Sequence, residues 1–136
     1  MPIRIEHCLV CDDFRVEAAG KTTLLGFFGL TPHVEIRVGE LNKPVERLTF
    51  VILTEPADNN QHKLQVELLD PSGHKFASLG PADLPAASRR LQLAFGFSAI
   101  LFRAVGTHTV RIKIDDTNAF EGTFDVELMT DNTQTQ

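Results

Sequence analysis

The sequence contains no tryptophan and no tyrosine, although it contains ten phenylalanines. Sugar-binding clefts and protein-binding hot spots favour Trp and Tyr, because their rings combine an apolar body with a polar tip. Phenylalanine offers apolar area without that tip, so most of these rings are expected in a hydrophobic core. The aromatic composition therefore argues against a carbohydrate-binding module.

Other absences narrow the function classes further. Two cysteines in 136 residues do not suggest an oxidised scaffold, and no run approaches the roughly 20 apolar residues of a membrane span. The net charge is -5, with no basic block that could follow a phosphate backbone. The segment from Met1 to Glu6 lacks the charged and apolar regions of a secretory signal. We expect a cytoplasmic protein that binds neither nucleic acid nor membranes.

What the sequence does contain is alternation of apolar and polar residues that runs into turns. The segment Lys63 to Leu69 alternates and is followed by the turn-forming residues Asp70 to Gly73. The same pattern recurs from Thr107 to Ile114 and, after the turn residues Asp115 to Asn118, from Glu121 to Met129. Such patterns predict β-hairpins, and therefore an all-β, antiparallel, immunoglobulin-like β-sandwich of about 8–10 short strands.

The strand candidates are Ile3 to Cys11, Phe14 to Ala18, Thr22 to Leu30, His33 to Val38, Leu48 to Thr54, Lys63 to Leu69, Lys75 to Leu79, Arg90 to Phe97, Thr107 to Ile114 and Glu121 to Met129. Alternation predicts a buried inner set: Leu64, Val66, Leu68, Val110, Ile112, Ile114, Phe124, Val126 and Leu128. We expect residues 1–129 to form a single domain and the polar tail, residues 130–136, to be disordered.

The segment Cys11 to Glu17, which reads Cys-Asp-Asp-Phe-Arg-Val-Glu, resembles the opening of a family of short bacterial proteins of uncharacterised function. The segment Gly20 to Gly26 continues this resemblance. The stretches Leu64 to Gly73 and Gly106 to Leu128 look like the strand-turn-strand pattern of bacterial immunoglobulin-like and macroglobulin-like sandwiches. The resemblance implies a fold but no activity, because none comes with that family.

Cys8 and Cys11 form a Cys-x-x-Cys pair beside His7. In thioredoxin-like sites this spacing lies at a helix N-terminus, which lowers the thiol pKa and brings the two sulfur atoms together. Here the neighbouring residues indicate a strand, in which positions i and i+3 point to opposite faces. We expect two inert, partly buried thiols without a disulfide, rather than a redox site.

Metal binding is the alternative that the residues leave open. A structural zinc at Cys8 and Cys11 would need two further ligands, and the candidates are His33, His62, His74 and His108. Calcium would suit the acidic loops if they converge; these are Asp58 to Asn60, Asp70, and Asp115 to Asn118. Turn formation explains the Asp and Asn residues without a metal, so we predict no cofactor and no metal.

Catalytic signals are weak. The serines Ser72, Ser78, Ser88 and Ser98 lack a nucleophile-elbow context. Bulky residues occupy the segment Gly26 to Gly29, where a phosphate loop would need free backbone. The adjacent Asp12 and Asp13 resemble a strand-end turn more than an acid/base pair. We therefore predict that the chain is not an enzyme.

Two segments, Leu24 to Leu30 and Leu93 to Phe102, are apolar on both faces, which a half-exposed strand is not. They are either central strands of the sandwich or surfaces that meet another chain. We predict a non-catalytic protein-binding or scaffolding module that forms a homodimer; the alternative is a small-ligand or metal-binding (calcium or zinc) sandwich. The predicted interaction surface comprises Phe27, Phe28, Phe95, Phe97 and Phe102.

Overall fold

The computed structural model describes residues 4–18, 21–55, 60–84 and 90–129. Within them the chain forms nine strands: β1 (Ile5–Val16), β2 (Thr22–Leu30), β3 (Glu35–Val38), β4 (Pro44–Thr54), β5 (His62–Leu69), β6 (Lys75–Leu84), β7 (Gln92–Leu101), β8 (Gly106–Ile114) and β9 (Thr117–Leu128). The described segments contain no helix, and hence no helix that could cross a membrane. The predicted tail, residues 130–136, lies outside the described residues.

The strands form two sheets. Sheet A has the order β2-β1-β4-β7, and sheet B has the order β3-β9-β8-β5-β6. The β9-β8-β5-β6 order matches strands G, F, C and C′ of immunoglobulin domains, and β1-β4-β7 matches strands A, B and E. The predicted all-β, immunoglobulin-like sandwich is therefore confirmed, with β2 added at the edge beside β1.

One strand pair differs from the antiparallel prediction. β3 pairs with β9 in parallel, with Glu35 beside Asp125 and Val38 beside Leu128. Sequence patterns do not predict this pairing, because a parallel partner 90 residues away leaves no hairpin signature. The other strand pairs of the described sheets are antiparallel.

The predicted strand boundaries agree with the structure for some strands and differ for others. β2 matches its predicted range, whereas the first two predicted strands are a single continuous β1 that runs through Asp12 and Asp13. The predicted turn at these aspartates is therefore wrong. β4 begins at Pro44, ahead of the predicted Leu48, and β6 continues to Leu84.

The hydrophobic core lies between the two sheets. Every residue of the predicted inner set is buried except Leu128, which is 43% exposed at the end of β9. Alternation predicts the face of the sheet to which Leu128 points. It does not predict whether the opposing sheet extends far enough to cover this side chain. The largest buried rings bridge the sheets: Phe50 of β4 lies 5.9 Å from Phe124 of β9, centroid to centroid.

His108 is part of this aromatic core. Its ring stacks on Phe124 with centroids 5.5 Å apart, and its Nδ1 lies 2.9 Å from the carbonyl oxygen of Gly106. Burial lowers the pKa of His108, while the Gly106 carbonyl and then Asp70 and Asp125 act in the opposite direction. The imidazole is therefore held in its neutral form more strongly in the folded chain than in the unfolded chain.

This difference predicts acid sensitivity. Because the unfolded chain takes up the His108 proton at a higher pH, it binds more protons than the folded chain as pH falls through about 6.5, so the free energy of unfolding falls there. We expect His108→Asn to reduce the loss of stability between about pH 7.5 and about pH 5.5 in urea titrations. An unchanged loss would contradict the assignment to His108.

Candidate functional site

The outer surface of sheet A is built of transverse rows of cross-strand neighbours. Because antiparallel partners lie side by side on the same face, the strand registers define these rows directly. Read from β2 to β7, one row is Leu30, Leu9, Val51 and Ala94, and the next is Phe27, Cys11, Thr49 and Gly96. The residues between them in sequence, such as Val10 and Phe50, face the core.

Two further rows border these. At one end lie His7, Leu53 and Gln92; at the other lie Leu25, Asp13, Arg47 and Ser98. In this last row Asp13 and Arg47 form an ion pair at 3.4 Å. We refer to the apolar members of the four rows as the apolar face: Leu9, Leu25, Phe27, Leu30, Val51, Leu53 and Ala94.

The apolar face is exposed along its β2 side. Phe27 is 52% exposed, Leu25 is 41% exposed and Leu30 is 40% exposed. In the middle of the sheet Cys11, Thr49 and Val51 are only 0–3% exposed, so the open part of the apolar face is its β2 side. Contiguous exposed apolar patches of this kind mark interaction sites in soluble proteins.

The outer surface of sheet B shows what the same architecture looks like when it faces water. Apart from Leu69, which lies buried beside Thr109, its central residues are polar or charged: Lys63, Gln65, Glu67, Thr109, Arg111, Lys113, Glu121, Thr123 and Asp125. Arg111 bonds Glu121 at 2.7 Å, and Lys63 bonds Asp83 at 2.9 Å. An antiparallel sandwich is expected to be polar on its solvated faces, and sheet B follows that rule while sheet A does not.

β2 is bulged, and the bulge separates its two phenylalanines. Val10 pairs with Gly29 while Cys11 pairs with Phe27, so Phe28 is the extra residue. Phe28 packs against the core and Phe27 points outward. Gly29 has φ of 141°, a value that a side chain would strain. A bulge hinders the addition of another strand to this edge, so the face of sheet A is the better candidate for contact.

The predicted interaction surface is only partly exposed. Phe28 and Phe95 are partly buried against the core, and Phe97 and Phe102 are buried. Phe97 meets Phe50 edge to face at 5.8 Å, and Phe102 meets Phe76 at 5.9 Å. The prediction is therefore wrong for Phe97 and Phe102, which cannot contact a partner from inside the core.

Sequence reasoning also missed three members of the apolar face: Leu9, Val51 and Leu53. A signal for two of them was present, because Leu48 to Leu53 is apolar on both faces with only Thr49 interrupting it. β7 differs from β4. The large residues Leu93 and Phe95 share the core face with Phe97, whereas Ala94 and Gly96 face outward. The apparent two-sided apolarity of β7 therefore comes from small residues.

The two thiols lie on opposite faces of β1, as predicted. Cys8 is in the core beside Ile52, and burial raises its pKa to about 12. Cys11 lies on the outer surface between Phe27 and Thr49, where burial and then Asp12 and Asp13 raise its pKa. Both are free thiols, and such thiols are poor nucleophiles.

We expect both cysteines to resist alkylation in the native protein. Because the thiolate is the reactive form and both side chains are buried, iodoacetamide should label neither at neutral pH within the time that labels both in urea. Mass spectrometry of the unreduced protein checks this directly. Rapid labelling of Cys11 alone would show that the Phe27 row does not cover it, and a two-proton mass deficit would reveal a disulfide.

The acidic loops build turns. The Asp70 carboxylate accepts hydrogen bonds from the backbone N–H groups of Ser72 and His74, both at 3.0 Å. Asp115 accepts one from the N–H of Lys63 at 2.9 Å. Among the described residues no three His, Cys, Asp or Glu side chains converge as metal ligands; Asp58 and Asn59 lie outside that part of the chain.

The turn after β5 does bring an Asp, a Ser and a His together. The Ser72 hydroxyl lies 2.6 Å from Asp70 and 2.9 Å from Nδ1 of His74. In a catalytic triad the carboxylate holds the imidazole, and the imidazole activates the serine. Here the carboxylate instead bonds the serine itself on an exposed turn, and its hydrogen bonds lower the Asp70 pKa. The arrangement stabilises the turn and does not form a triad.

Comparisons with known proteins give a family and a fold. Residues 6–127 match DUF6941, a family of unknown function, and no curated protein matches the chain. One similar structure is the Pseudomonas fluorescens alkylpurine DNA glycosylase AlkC bound to DNA containing an abasic site analog. The match has 14% identity and a TM-score of 0.52 and covers 92% of this chain. The chain spans only 30% of the length of that enzyme.

A second similar structure is an immunoglobulin-like protein from Pseudomonas aeruginosa. It shares 12% identity with a TM-score of 0.40, and the match covers 93% of this chain and 98% of that one. The predicted resemblance to a family of uncharacterised function is confirmed by the family match. The chain belongs to DUF6941, a family of unknown function.

Proposed function

We propose that the chain is a non-catalytic protein-binding module that docks a protein on the apolar face of sheet A. The observation that carries this proposal is the contrast between its two outer surfaces. One is a charged, solvated sheet, and the other presents Leu25, Phe27 and Leu30 at 40–52% exposure beside further apolar neighbours. Burying a fully exposed side chain of this kind is worth about 1.5–3 kcal/mol, so covering these half-exposed side chains is worth about half of that each.

The chemistry of the face favours protein over nucleic acid. Arg47 is the cation of its end row and is already paired with Asp13, and the net charge of the chain is -5. A surface for a phosphate backbone would instead present unpaired Lys and Arg. The likeness to part of a DNA glycosylase therefore supports the fold alone. The proposal places the module in the cytoplasm, where two free thiols stay reduced.

Photo-crosslinking tests this proposal in the cells that produce the protein. Phe27→p-benzoylphenylalanine should give covalent protein adducts, because the replaced ring projects from the apolar face. The matched control, Thr123→p-benzoylphenylalanine, places the same group on the outer surface of sheet B. Adding Leu30→Asp to the position-27 variant should abolish its adducts. Equal adduct yields at positions 27 and 123 would contradict the proposal.

A further inference from the structure

We propose that a cleft between β6 and β7 binds the carboxyl-terminal end of an extended peptide. We name it the carboxylate cleft and define it by residues 76–79 of β6, residues 97–101 of β7, and Arg103. The chain passes from β6 to β7 at Leu84 and Gln92, and the cleft lies at the other end of both strands. It shares no residue with the apolar face, so the inference goes beyond the proposed function and does not depend on it.

Two adjoining cavities form the carboxylate cleft. The first has a volume of about 360 Å³ and lies between residues 76–79 and residues 97–101. The second has a volume of about 370 Å³ and extends from the cleft to the turn after β5 and to His108. Three residues line both cavities: Phe76, Leu101 and Arg103. Arg103 therefore lies where the two cavities meet.

Arg103 differs from the other arginines in the described part of the chain. Six of them form ion pairs with carboxylates: Arg4, Arg15, Arg37, Arg47, Arg90 and Arg111. Arg103 is exposed and forms neither an ion pair nor a hydrogen bond with any other described residue. A guanidinium can bind a carboxylate through two parallel hydrogen bonds. An unpaired guanidinium where two cavities meet therefore indicates an anionic ligand.

The charges of the lining favour a ligand with a single negative charge. Asp70 and Lys75 both line the second cavity and carry opposite charges. Arg103 is consequently the uncompensated charge among the acidic and basic residues of the two linings. A carboxylate balances this charge, whereas a phosphate dianion would leave an excess negative charge beside Asp70. The carboxyl terminus of a peptide supplies a carboxylate of this kind.

The edge of β7 can bind the backbone of the same peptide. β7 is an edge strand of sheet A and pairs with β4 on one side, and no described strand pairs with its other side. An extended peptide can add to such an edge through backbone hydrogen bonds. The edge of β6 is less suitable, because Pro81 lacks an N–H group. Because Arg103 follows the end of β7, a peptide with its carboxylate at Arg103 runs parallel to β7.

Ala99 sets where this pairing ends. Its φ of 57° lies in the left-handed region, so the regular conformation of β7 is interrupted inside the cleft. The backbone pairing is therefore expected before Ala99, and the last residue of the peptide passes Ala99 to reach Arg103. Strained residues of this kind cluster at ligand-binding sites. The small side chains of Ser98 and Ala99 leave room for the peptide.

The second cavity is suited to the last side chain of the peptide. Phe76 is partly buried and His108 is buried, and their rings meet edge to face with centroids 5.8 Å apart. His108 donates its Nδ1–H to the carbonyl oxygen of Gly106, and burial lowers its pKa. The inner wall of the cavity is therefore formed by two uncharged rings. We expect peptides that end in a bulky apolar residue to bind best.

A peptide library tests the inference on the purified full chain. The library consists of beads that carry peptides randomised over about four residues, the length that fits along residues 97–101. Each peptide ends in a free carboxylate. The best binder is then compared with its carboxamide by fluorescence anisotropy, and amidation should weaken binding by about 10-fold or more. A library without binders, or equal affinity for acid and amide, would overturn the inference.

Arg103→Gln tests the residue that binds the carboxylate. It should weaken binding of the free-acid peptide by about 10-fold or more, whereas the amide should bind the variant and the unmodified chain equally. The matched control is Arg37→Gln, which removes an exposed arginine from β3 at the other edge of sheet B. This control should bind both peptides like the unmodified chain. Equal weakening by the two variants would contradict the role of Arg103.

A second variant tests the cleft without changing a charge. Ser78 is exposed on β6 and lines the first cavity, so Ser78→Trp should fill that cavity and leave the circular dichroism spectrum unchanged. Binding of the free-acid peptide should be lost. A folded Ser78→Trp variant that binds normally would show that the peptide does not lie between β6 and β7.

Backbone amide NMR shifts distinguish this site from the apolar face. Adding the free-acid peptide should shift the amide signals of residues 76–79 and 97–103. Shifts confined to Phe27 and Leu30 would overturn the carboxylate cleft and support the proposed function. Shifts in the cleft, together with no photo-crosslinked adducts at position 27, would support the cleft and overturn the proposed function.

Discussion

Replacing Phe124 with alanine is expected to lower the free energy of unfolding by about 3–5 kcal/mol. The ring is fully buried on sheet B, and its centroid lies 5.9 Å from that of Phe50 on sheet A. It also lies 6.3 Å from Phe102 and stacks on His108. Because it touches both sheets, its removal leaves a cavity that neither sheet can close alone. Equilibrium urea unfolding measures the change.

The matched control is Phe27→Ala, which removes the same ring from an exposed position. It should cost less than about 1 kcal/mol, since surface substitutions usually have small effects. The pair separates a core phenylalanine from a surface phenylalanine in one chain. Similar costs for both variants would show that Phe124 is not packed between the sheets.

Much of this core could be predicted from the sequence. From Leu64 to Leu68 of β5 and throughout β8 the apolar residues alternate, so a period of two is enough to place Leu64, Val66, Val110 and Ile112 inside. The signal is clear because the outer surface of sheet B is polar. Local alternation therefore contains most of the information that this half of the fold requires.

Sheet A is harder to predict because its strands are apolar on both faces. In β4 the residues Leu48, Phe50 and Ile52 face the core, whereas Val51 and Leu53 face outward, and between Leu48 and Leu53 only Thr49 marks the outer face with a polar side chain. The continuity of β1 through Asp13 was missed for a related reason. Asp13 forms an ion pair with Arg47 on the neighbouring strand. Because Arg47 is distant in sequence, this pairing can be recognised only once the strand register is known.

The candidate site depends still more on register. Its rows combine Leu9, Leu30, Val51 and Ala94, which are far apart in sequence and become neighbours only through the pairing of four strands. Phe27 could be recognised in advance because it lies in an unbroken apolar segment. Phe97 was assigned to the same surface for the same reason, although its strand turns that side chain into the core.

Removing the charge of Glu67 is expected to have the second large effect on stability. Its carboxylate is only 5% exposed, although it lies on the outer surface of sheet B. Lys75 approaches it at 3.5 Å, Lys113 at 3.6 Å and Arg111 at 3.9 Å. Glu67→Gln keeps the shape of the side chain but leaves three cations around a neutral amide.

We expect Glu67→Gln to lower the free energy of unfolding by about 2–3 kcal/mol, somewhat less than the loss of one partner from a fully buried pair. The reduction follows from the cations, since Lys75 is half exposed and the other two are about one-third exposed, so each can turn towards water. Urea unfolding of the variant beside the unmodified chain measures the difference.

Glu121→Gln provides a control, because Glu121 binds the guanidinium of the same Arg111 that approaches Glu67. Glu121 bonds Arg111 at 2.7 Å, closer than Glu67 does, but its side chain is 48% exposed. If distance decided the energy, Glu121→Gln would be the more costly change. Because water screens the exposed pair, we expect it to cost less than about 1 kcal/mol. A larger loss of unfolding free energy for Glu121→Gln than for Glu67→Gln would show that burial does not set the strength of this network. The charged face of sheet B would then owe its stability to its shortest ion pairs.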